Sequence, residues 1–363
     1  MSVDSVKSQL TERVFRDVEE ITEANIEWEK FAGKKVMITG AGGFISYYLT
    51  TSLLNLNDEK NLGIQVFGLV RHMEAAEKKY GKLADRDDFM LFQLDVCDPF
   101  DFVELDGLQV DFLIHAASQA DAWHFENDPV GTIRANLVGT DNVLQYAKEC
   151  GAEVLIVSSL KTYGNVTDGS ESLLEETQGY VDPDSYKNCY AMGKRAAETL
   201  AASYAQQYGM TIKIARPSYI YGAASLTDNR VWAQFMANVV KGEDILLKSN
   251  GATFRSFCYV TDTARALFTI LLEGKNMQPY NIASDKGNVT IRDFARLAAG
   301  AFPERNIKLI FANKEDEVEP VQDFSKNSPE ILNPEKLEGL GWEASVDITE
   351  GVRRAVAVLE ERL

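Results

Sequence analysis

Tyr190 and Lys194 stand four residues apart in the stretch Asn188-Cys189-Tyr190-Ala191-Met192-Gly193-Lys194. On a helix that spacing puts both side chains on one face, so an ammonium can sit beside a phenol and depress its pKa from about 10. The resulting phenolate can take a proton from a hydroxyl while a hydride leaves the same carbon. Such a pair is common and by itself is usually surface decoration. Its force comes from Val157-Ser158-Ser159 upstream, at the end of an apolar run, where the Ser159 hydroxyl can hold the reacting oxygen. A hydride also needs an acceptor. The run Val36 to Thr39 leads into Thr39-Gly40-Ala41-Gly42-Gly43-Phe44-Ile45-Ser46, followed by a helix beginning near Phe44. Glycines permit a tight turn there. They also let the backbone of Gly40, Gly43, Phe44 and Ile45 approach a pyrophosphate at the positive end of the helix. A merely structural turn would use the same glycines; the strand before and the helix after favour the dinucleotide reading.

The elements that must position these groups are legible as short apolar runs alternating with helical stretches: Val36 to Thr39, Gln65 to Val70, Met90 to Leu94, Phe112 to His115, Val154 to Ser158 and Ile212 to Ala215. Strands apolar on both faces, separated by amphipathic helices, imply an α/β fold with a doubly wound parallel sheet. After Arg216 the alternation breaks down into turn-rich segments around Ala223 to Arg230 and Lys248 to Phe254, then a helix from Thr261 and another from Thr290. We therefore expect a dinucleotide-binding domain over 33–216, to which 258–283 returns, and a substrate-binding region over 217–257 and 284–363. Ahead of them, 1–32 forms an extension. Within it, residues 4–30 read as one acidic helix with Val14, Val18 and Ile21 on one face, and Trp28 and Phe31 as anchors.

The chain of 363 residues carries a formal net charge of −18, which repels nucleic acid and anionic membranes, so an anionic ligand must meet a local cluster of cations. No run reaches about 18 consecutive apolar residues and the N-terminus is acidic without a cleavable apolar stretch, which together imply a cytoplasmic protein without a membrane partner. Cys97, Cys150, Cys189 and Cys258 lie far apart, as reduced buried thiols would, and no metal site is expected. At the end of the second strand many NAD-binding chains place an acid for the adenosine ribose; this one has Leu69-Val70-Arg71-His72. Arg71 reads either as a partner for a 2'-phosphate or as a solvated loop charge, leaving NAD and NADP both open.

The stretches His115-Ala116-Ala117-Ser118, Asn136-Leu137-Val138-Gly139-Thr140, Thr162-Tyr163-Gly164, Arg216-Pro217 and Arg255-Ser256-Phe257-Cys258-Tyr259-Val260-Thr261-Asp262 resemble the extended short-chain dehydrogenase/reductases that act on nucleotide-sugars. The resemblance covers about 33–355. It is nearest to the UDP-glucuronate decarboxylase branch, on Asp128-Pro129-Val130-Gly131-Thr132-Ile133, Cys189-Tyr190 with Gly193-Lys194-Arg195, and Asp228-Asn229-Arg230-Val231. It implies that Ser159, Tyr190 and Lys194 carry the redox step and that Asp95 and Val96 contact adenine. Ala116, Ala117 and Asn136 join the cofactor set, as do Tyr190 and Lys194 themselves. Ser118, Ser159, Tyr219, Arg230 and Arg255 face the substrate, the alternative for either arginine being a surface or interdomain salt bridge. The resemblance also implies a homodimer through the helix near Val138 to Glu149 and the Tyr190 helix.

Several positions depart from that pattern. The third glycine of the fingerprint is Ser46, still small enough for close helix-to-strand packing. Ser218-Tyr219 replaces a frequent Asn, and Ala223 a Pro. Where dehydratases and decarboxylases of the family hold an acid, this chain has Leu160 and Lys161. Without a carboxylic acid to protonate a leaving hydroxyl, elimination of water is disfavoured. Lys161 reads in three ways: an acid/base beside a ketone, a cation for a substrate carboxylate, or a solvated residue. Epimerisation through a transient keto-sugar asks least of these residues and is the leading expectation. Behind it stand UDP-glucuronate-type decarboxylation, NADPH-dependent reduction of a keto-sugar, and a non-catalytic nicotinamide-binding regulator.

Overall fold

A computed structural model describes residues 5–100, 105, 107–318 and 330–363. Its strands are β1 (Lys35–Thr39), β2 (Gln65–Val70), β3 (Phe89–Gln93), β4 (Phe112–His115), β5 (Glu153–Val157), β6 (Ile212–Pro217), β7 (Tyr219–Tyr221), β8 (Ile245–Leu247), β9 (Phe254–Tyr259), β10 (Pro279–Ile282), β11 (Asn288–Thr290) and β12 (Leu309–Phe311). The helices are α1 (Val6–Gln9), α2 (Glu12–Thr22), α3 (Phe44–Lys60), α4 (Met73–Tyr80), α5 (Ala122–Asn127), α6 (Pro129–Cys150), α7 (Cys189–Tyr208), α8 (Val231–Lys241), α9 (Val260–Glu273), α10 (Ile291–Gly300), α11 (Glu335–Glu338) and α12 (Ile348–Glu361).

All six expected runs enter one seven-stranded sheet in the order β10-β6-β5-β4-β1-β2-β3. The pairs from β3 through β6 are parallel. This is the doubly wound α/β fold. Chain order reverses between β1 and β4, where Thr39 stands opposite His115, so the crevice beyond their carboxyl ends is the place where such sheets bind ligands. One face is filled by Met37, Leu113, Val154, Ile156 and Ile212 packed with Val143 and Leu144 of α6 and Ala201 of α7.

Contacts divide the chain into two units. The first comprises Met1–Thr162, Val181–Arg216 and Ala264–Tyr280; the second comprises Tyr163–Tyr180, Pro217–Thr263 and Asn281–Leu363. The second unit holds a three-stranded sheet, β11-β9-β7, and the pair β12-β8. Tyr221, Phe257 and Phe294 form an aromatic cluster in its core.

The expected N-terminal helix is two helices, and its first residue, Asp4, lies outside the described residues. Leu10 and Thr11 are extended, with ψ of 154° and 156°. The bend has a packing reason. Buried Val6 donates its N–H to Asp58 near the end of α3 (2.6 Å), while Val14, Val18 and Ile21 of α2 are buried farther along, and a straight helix would not serve both. Trp28 and Phe31 are buried as expected, edge-on to Phe268. The thiols differ from expectation: all four are free, but only Cys189 and Cys258 are buried. Cys97 and Cys150, at a loop and a helix end, are partly exposed.

Asp262, 0% exposed in the first turn of α9, anchors the second unit's C-terminal segment. Its carboxylate accepts from Ser345 N (3.1 Å), Ser345 Oγ (2.9 Å) and Val346 N (3.0 Å). Asp262→Ala removes the shared acceptor of these three hydrogen bonds and is expected to destabilise the protein by about 3 kcal/mol in urea unfolding. A loss below about 1 kcal/mol would mean that solvent replaces the carboxylate.

Candidate active site

The carboxyl ends of β1, β2, β3 and β4 and the start of α6 enclose a cavity of about 520 Å³. Its lining includes Gly40, Gly43, Arg71, Asp95, Val96, Ala116, Ala117 and Ser118. The first unit thus brings together most of the cofactor positions expected from the sequence. Phe44 and Ile45 begin α3, but their side chains do not line the cavity, and the Phe44 ring turns edge-on to Tyr48. What they bring is backbone: the N-cap residue of α3 is Gly43, which has no side chain to cap the first turn, and N–H groups at such a helix start suit an anion. Gly40 is in the left-handed region at φ 68°, and a Cβ there would lie 2.8 Å from the Ala117 Cα. Ser46 is buried as its small size requires. From α4, Lys79 donates to the carbonyls of Gly42 (3.0 Å) and Gly43 (2.8 Å), and the Tyr80 hydroxyl to Ala41 (2.8 Å), fixing the loop.

Behind the loop, Thr39 Oγ1 meets His115 Nδ1 at 2.8 Å and accepts from Ala117 N, while His115 Nε2 meets Thr140 Oγ1 at 3.1 Å. Burial lowers the His115 pKa to about 3, so the ring is a neutral brace between β1, β4 and α6. Asn136, buried on α6, accepts from the Ser118 hydroxyl (2.9 Å) and donates to Thr132 O (2.8 Å). A Cβ on Gly193 would come within 2.9 Å of the Asn136 Cβ, so glycine lets α7 approach α6 closely just past Tyr190.

Tyr190 and Lys194 share a face of α7, with the Lys194 ammonium 5.9 Å from the phenol ring centroid. That nitrogen donates to Val157 O at the end of β5 (2.7 Å) and is 3% exposed. Burial lowers its pKa to about 8, against an upward pull from Glu198. Phe125 of α5 stacks on the Tyr190 ring at 4.9 Å. Ser159, buried just beyond β5, accepts the Lys161 N–H through its hydroxyl (3.2 Å), so Lys161 stands at the first turn of a 3-10 helix leaving the strand. Glu198 continues the Tyr190–Lys194 row by one more turn. It accepts from the Ser158 hydroxyl and from Arg216 Nε (3.0 Å) and Nη2 (2.6 Å), joining α7 to β5 and β6.

If Lys194 must be cationic to stabilise the Tyr190 phenolate, the rate of hydride exchange should fall as pH rises through about 8. A single-turnover pH profile checks this; a rate still rising well above that pH would contradict it. The stability effect has the opposite sign. Between about 8 and the ordinary 10.5 the unfolded chain holds a proton that the folded chain has lost, so stability increases with pH across that window.

The expected substrate residues other than Ser118 and Ser159 lie in the second unit. Tyr219 on β7 donates to Glu330 (2.9 Å), and Arg255 on β9 pairs with Glu330 and covers the Tyr219 ring. Arg230 precedes α8, pairs with Asp228 (2.6 Å) and lies over Trp232. Sequence reasoning did not assign Gln119, Asp128 or Arg134 to the cavity, nor Phe125 and Glu198 to the Tyr190–Lys194 row. Only Glu198, four residues past Lys194, had a local signal.

The family model of the NAD dependent epimerase/dehydratase family matches residues 36–283. UDP-glucuronic acid decarboxylase 6 of Arabidopsis thaliana is 32% identical over 88% of this chain and 86% of its own length. The chain belongs to the NAD-dependent epimerase/dehydratase family. Two solved structures share the fold. A dTDP-glucose 4,6-dehydratase from Bacillus anthracis in complex with NAD has a TM-score of 0.72 at 17% identity, covering 90% of this chain and 97% of that one. A UDP-glucose 4-epimerase from Thermotoga maritima with UDP-glucose has a TM-score of 0.71 at 19% identity, covering 90% and 99%. The residues present fit the family's nicotinamide dinucleotide, NAD or NADP: a glycine loop where a Cβ at Gly40 would clash, the α3 terminus with glycine at its N-cap, and a cavity at the sheet's switch point. Among the described residues no helix is long and apolar enough to cross a membrane.

Proposed function

We propose that this protein epimerises the sugar of a nucleotide-sugar through a transient keto-sugar, without net oxidation. The observation that carries the reading is the set Ser159, Tyr190 and Lys194 in one unit, with Leu160 and Lys161 where an acid would be needed to expel a hydroxyl. When bound, the dinucleotide takes up a hydride from the sugar carbon and later gives it back. Tyr190, as phenolate beside the Lys194 ammonium, removes the hydroxyl proton while the Ser159 hydroxyl holds the same oxygen. After the sugar turns, or is deprotonated and reprotonated at a neighbouring carbon, Tyr190 returns its proton to the carbonyl oxygen. Arg230, Arg255 and Tyr219 are assigned to the nucleotide diphosphate and sugar, and the protein acts as a homodimer through α6 and α7.

The identity to UDP-glucuronic acid decarboxylases favours a second reading. Oxidation beside a uronate carboxylate gives a β-keto acid that loses carbon dioxide, with Lys161 as the cation facing the carboxylate. One experiment separates the two. The nucleotide-sugar that co-purifies is identified by mass spectrometry after denaturation, and the protein is incubated with it and with UDP-glucuronate under NMR. A product of unchanged mass and inverted stereochemistry supports epimerisation; loss of carbon dioxide replaces it with decarboxylation. No turnover of either sugar would overturn both.

A further inference from the structure

We infer that the ribose end of the cavity selects a dinucleotide carrying a 2'-phosphate, so that the resident cofactor is of the NADP class. The inference rests on the cavity holding the adenosine half of the cofactor, as the family membership implies.

At the end of β2, where a carboxylate would accept hydrogen bonds from the ribose hydroxyls and repel a phosphate, this chain places Arg71 and His72, and both line the cavity. Gln93 Nε2 holds the Arg71 carbonyl (3.3 Å) while its side chain is exposed. Arg71 is also among the charges that hold the Asp128 carboxyl below its ordinary range, after hydrogen bonds from Gln119 and Gly131, which places its field on the cavity side. The cavity's own carboxylates are engaged elsewhere: Asp95 accepts from Cys97 N (2.9 Å), and Asp128 from Gln119 (3.1 Å) and Gly131 N (3.0 Å).

The helix that follows adds to the preference. α4 begins at Met73 with no side-chain cap, so its positive end lies next to Arg71. Its first turns present Ala75 and Ala76 to the cavity, which leaves room for a phosphate. Residues 71–82 carry Arg71, Lys78, Lys79 and Lys82 against Glu74 and Glu77, a positive segment in a chain of net charge −18. A guanidinium meets phosphate oxygens in bidentate fashion and gains nothing comparable from a ribose hydroxyl. The preference is independent of whether the hydride is handed back within one turnover.

The test is nicotinamide fluorescence titration of the full-length protein, freed of resident dinucleotide, with NADPH and with NADH. NADPH should bind about 10- to 100-fold more tightly, the range expected for charge-assisted hydrogen bonds. Arg71→Ala, an exposed site whose melting temperature serves as the folding control, should remove most of that difference by weakening NADPH alone. Arg71→Asp should reverse it. Equal or tighter binding of NADH by the unaltered protein, or an Arg71→Ala variant that loses both cofactors equally, overturns the inference and leaves the family's use of the cavity standing. Binding of neither cofactor overturns both.

Discussion

Tyr190→Phe is expected to abolish hydride exchange while cofactor binding and fold survive. The substitution removes only the hydroxyl. The ring that stacks on Phe125 at 4.9 Å remains, as does the Lys194 contact with Val157 O. What is lost is the group that exchanges a proton with the sugar, typically a rate factor of about 10²–10⁴ for general acid–base catalysis. Reduced nicotinamide absorbance, followed in a single turnover with the nucleotide-sugar that co-purifies with the protein, measures the loss directly. Full activity would sink the proposed mechanism. Loss of cofactor binding as well would mean that the Tyr190 hydroxyl chiefly holds the cofactor.

Gly40→Val should eliminate dinucleotide binding and lower stability. Two costs combine at this position. The backbone is at φ 68°, a region that disfavours a β-branched residue by about 1–3 kcal/mol. The new Cβ would also press on the Ala117 Cα at 2.8 Å, an atom of the β4 loop that cannot rotate away. Relief requires the glycine loop or Ala116–Ala117 to move, and both line the cavity. Fluorescence titration should show at least about a 100-fold loss in affinity, with a melting temperature lower by several degrees. Gly42→Ala is the control: it has ordinary φ and its nearest neighbour is the Val70 Cγ1 at 4.0 Å, so the melting temperature should hardly change. Normal binding by Gly40→Val would mean that the loop does not cradle the pyrophosphate.

The contrast between these two glycines also marks what a sequence can reveal. Glycine-rich spacing after an apolar strand announces the loop, but only the tertiary approach of Ala117 says which glycine is indispensable. The six strands of the first unit were readable because parallel strands buried on both faces have little choice but to be apolar runs, and their ends fell within one or two residues of the runs. The bend at Leu10 and Thr11 was not readable, since it answers to Asp58 on another helix rather than to any local breaker. The shared helix face of Tyr190 and Lys194 and the place of Ser159 just past a strand were readable, because the first follows from helix spacing and the second from an apolar run. Gln119, Asp128 and Arg134 carry no such mark. They reach the cavity because α6 starts beside the switch point, a consequence of topology. Glu198 sits between: its place in the helical row is local, whereas its partner Arg216 arrives on a different strand.

The aromatic anchors ahead of the first strand carry a practical consequence. Trp28 and Phe31 lie outside the stretch matched by the family model, yet they cover Phe268, and Phe31 also meets Phe112 at 5.1 Å. Cutting the protein back to Lys34, as the family boundary invites, would expose rings from a helix and a strand together. Such a shortened chain should precipitate or be cleared by cellular quality control even though every residue of its chemistry is intact.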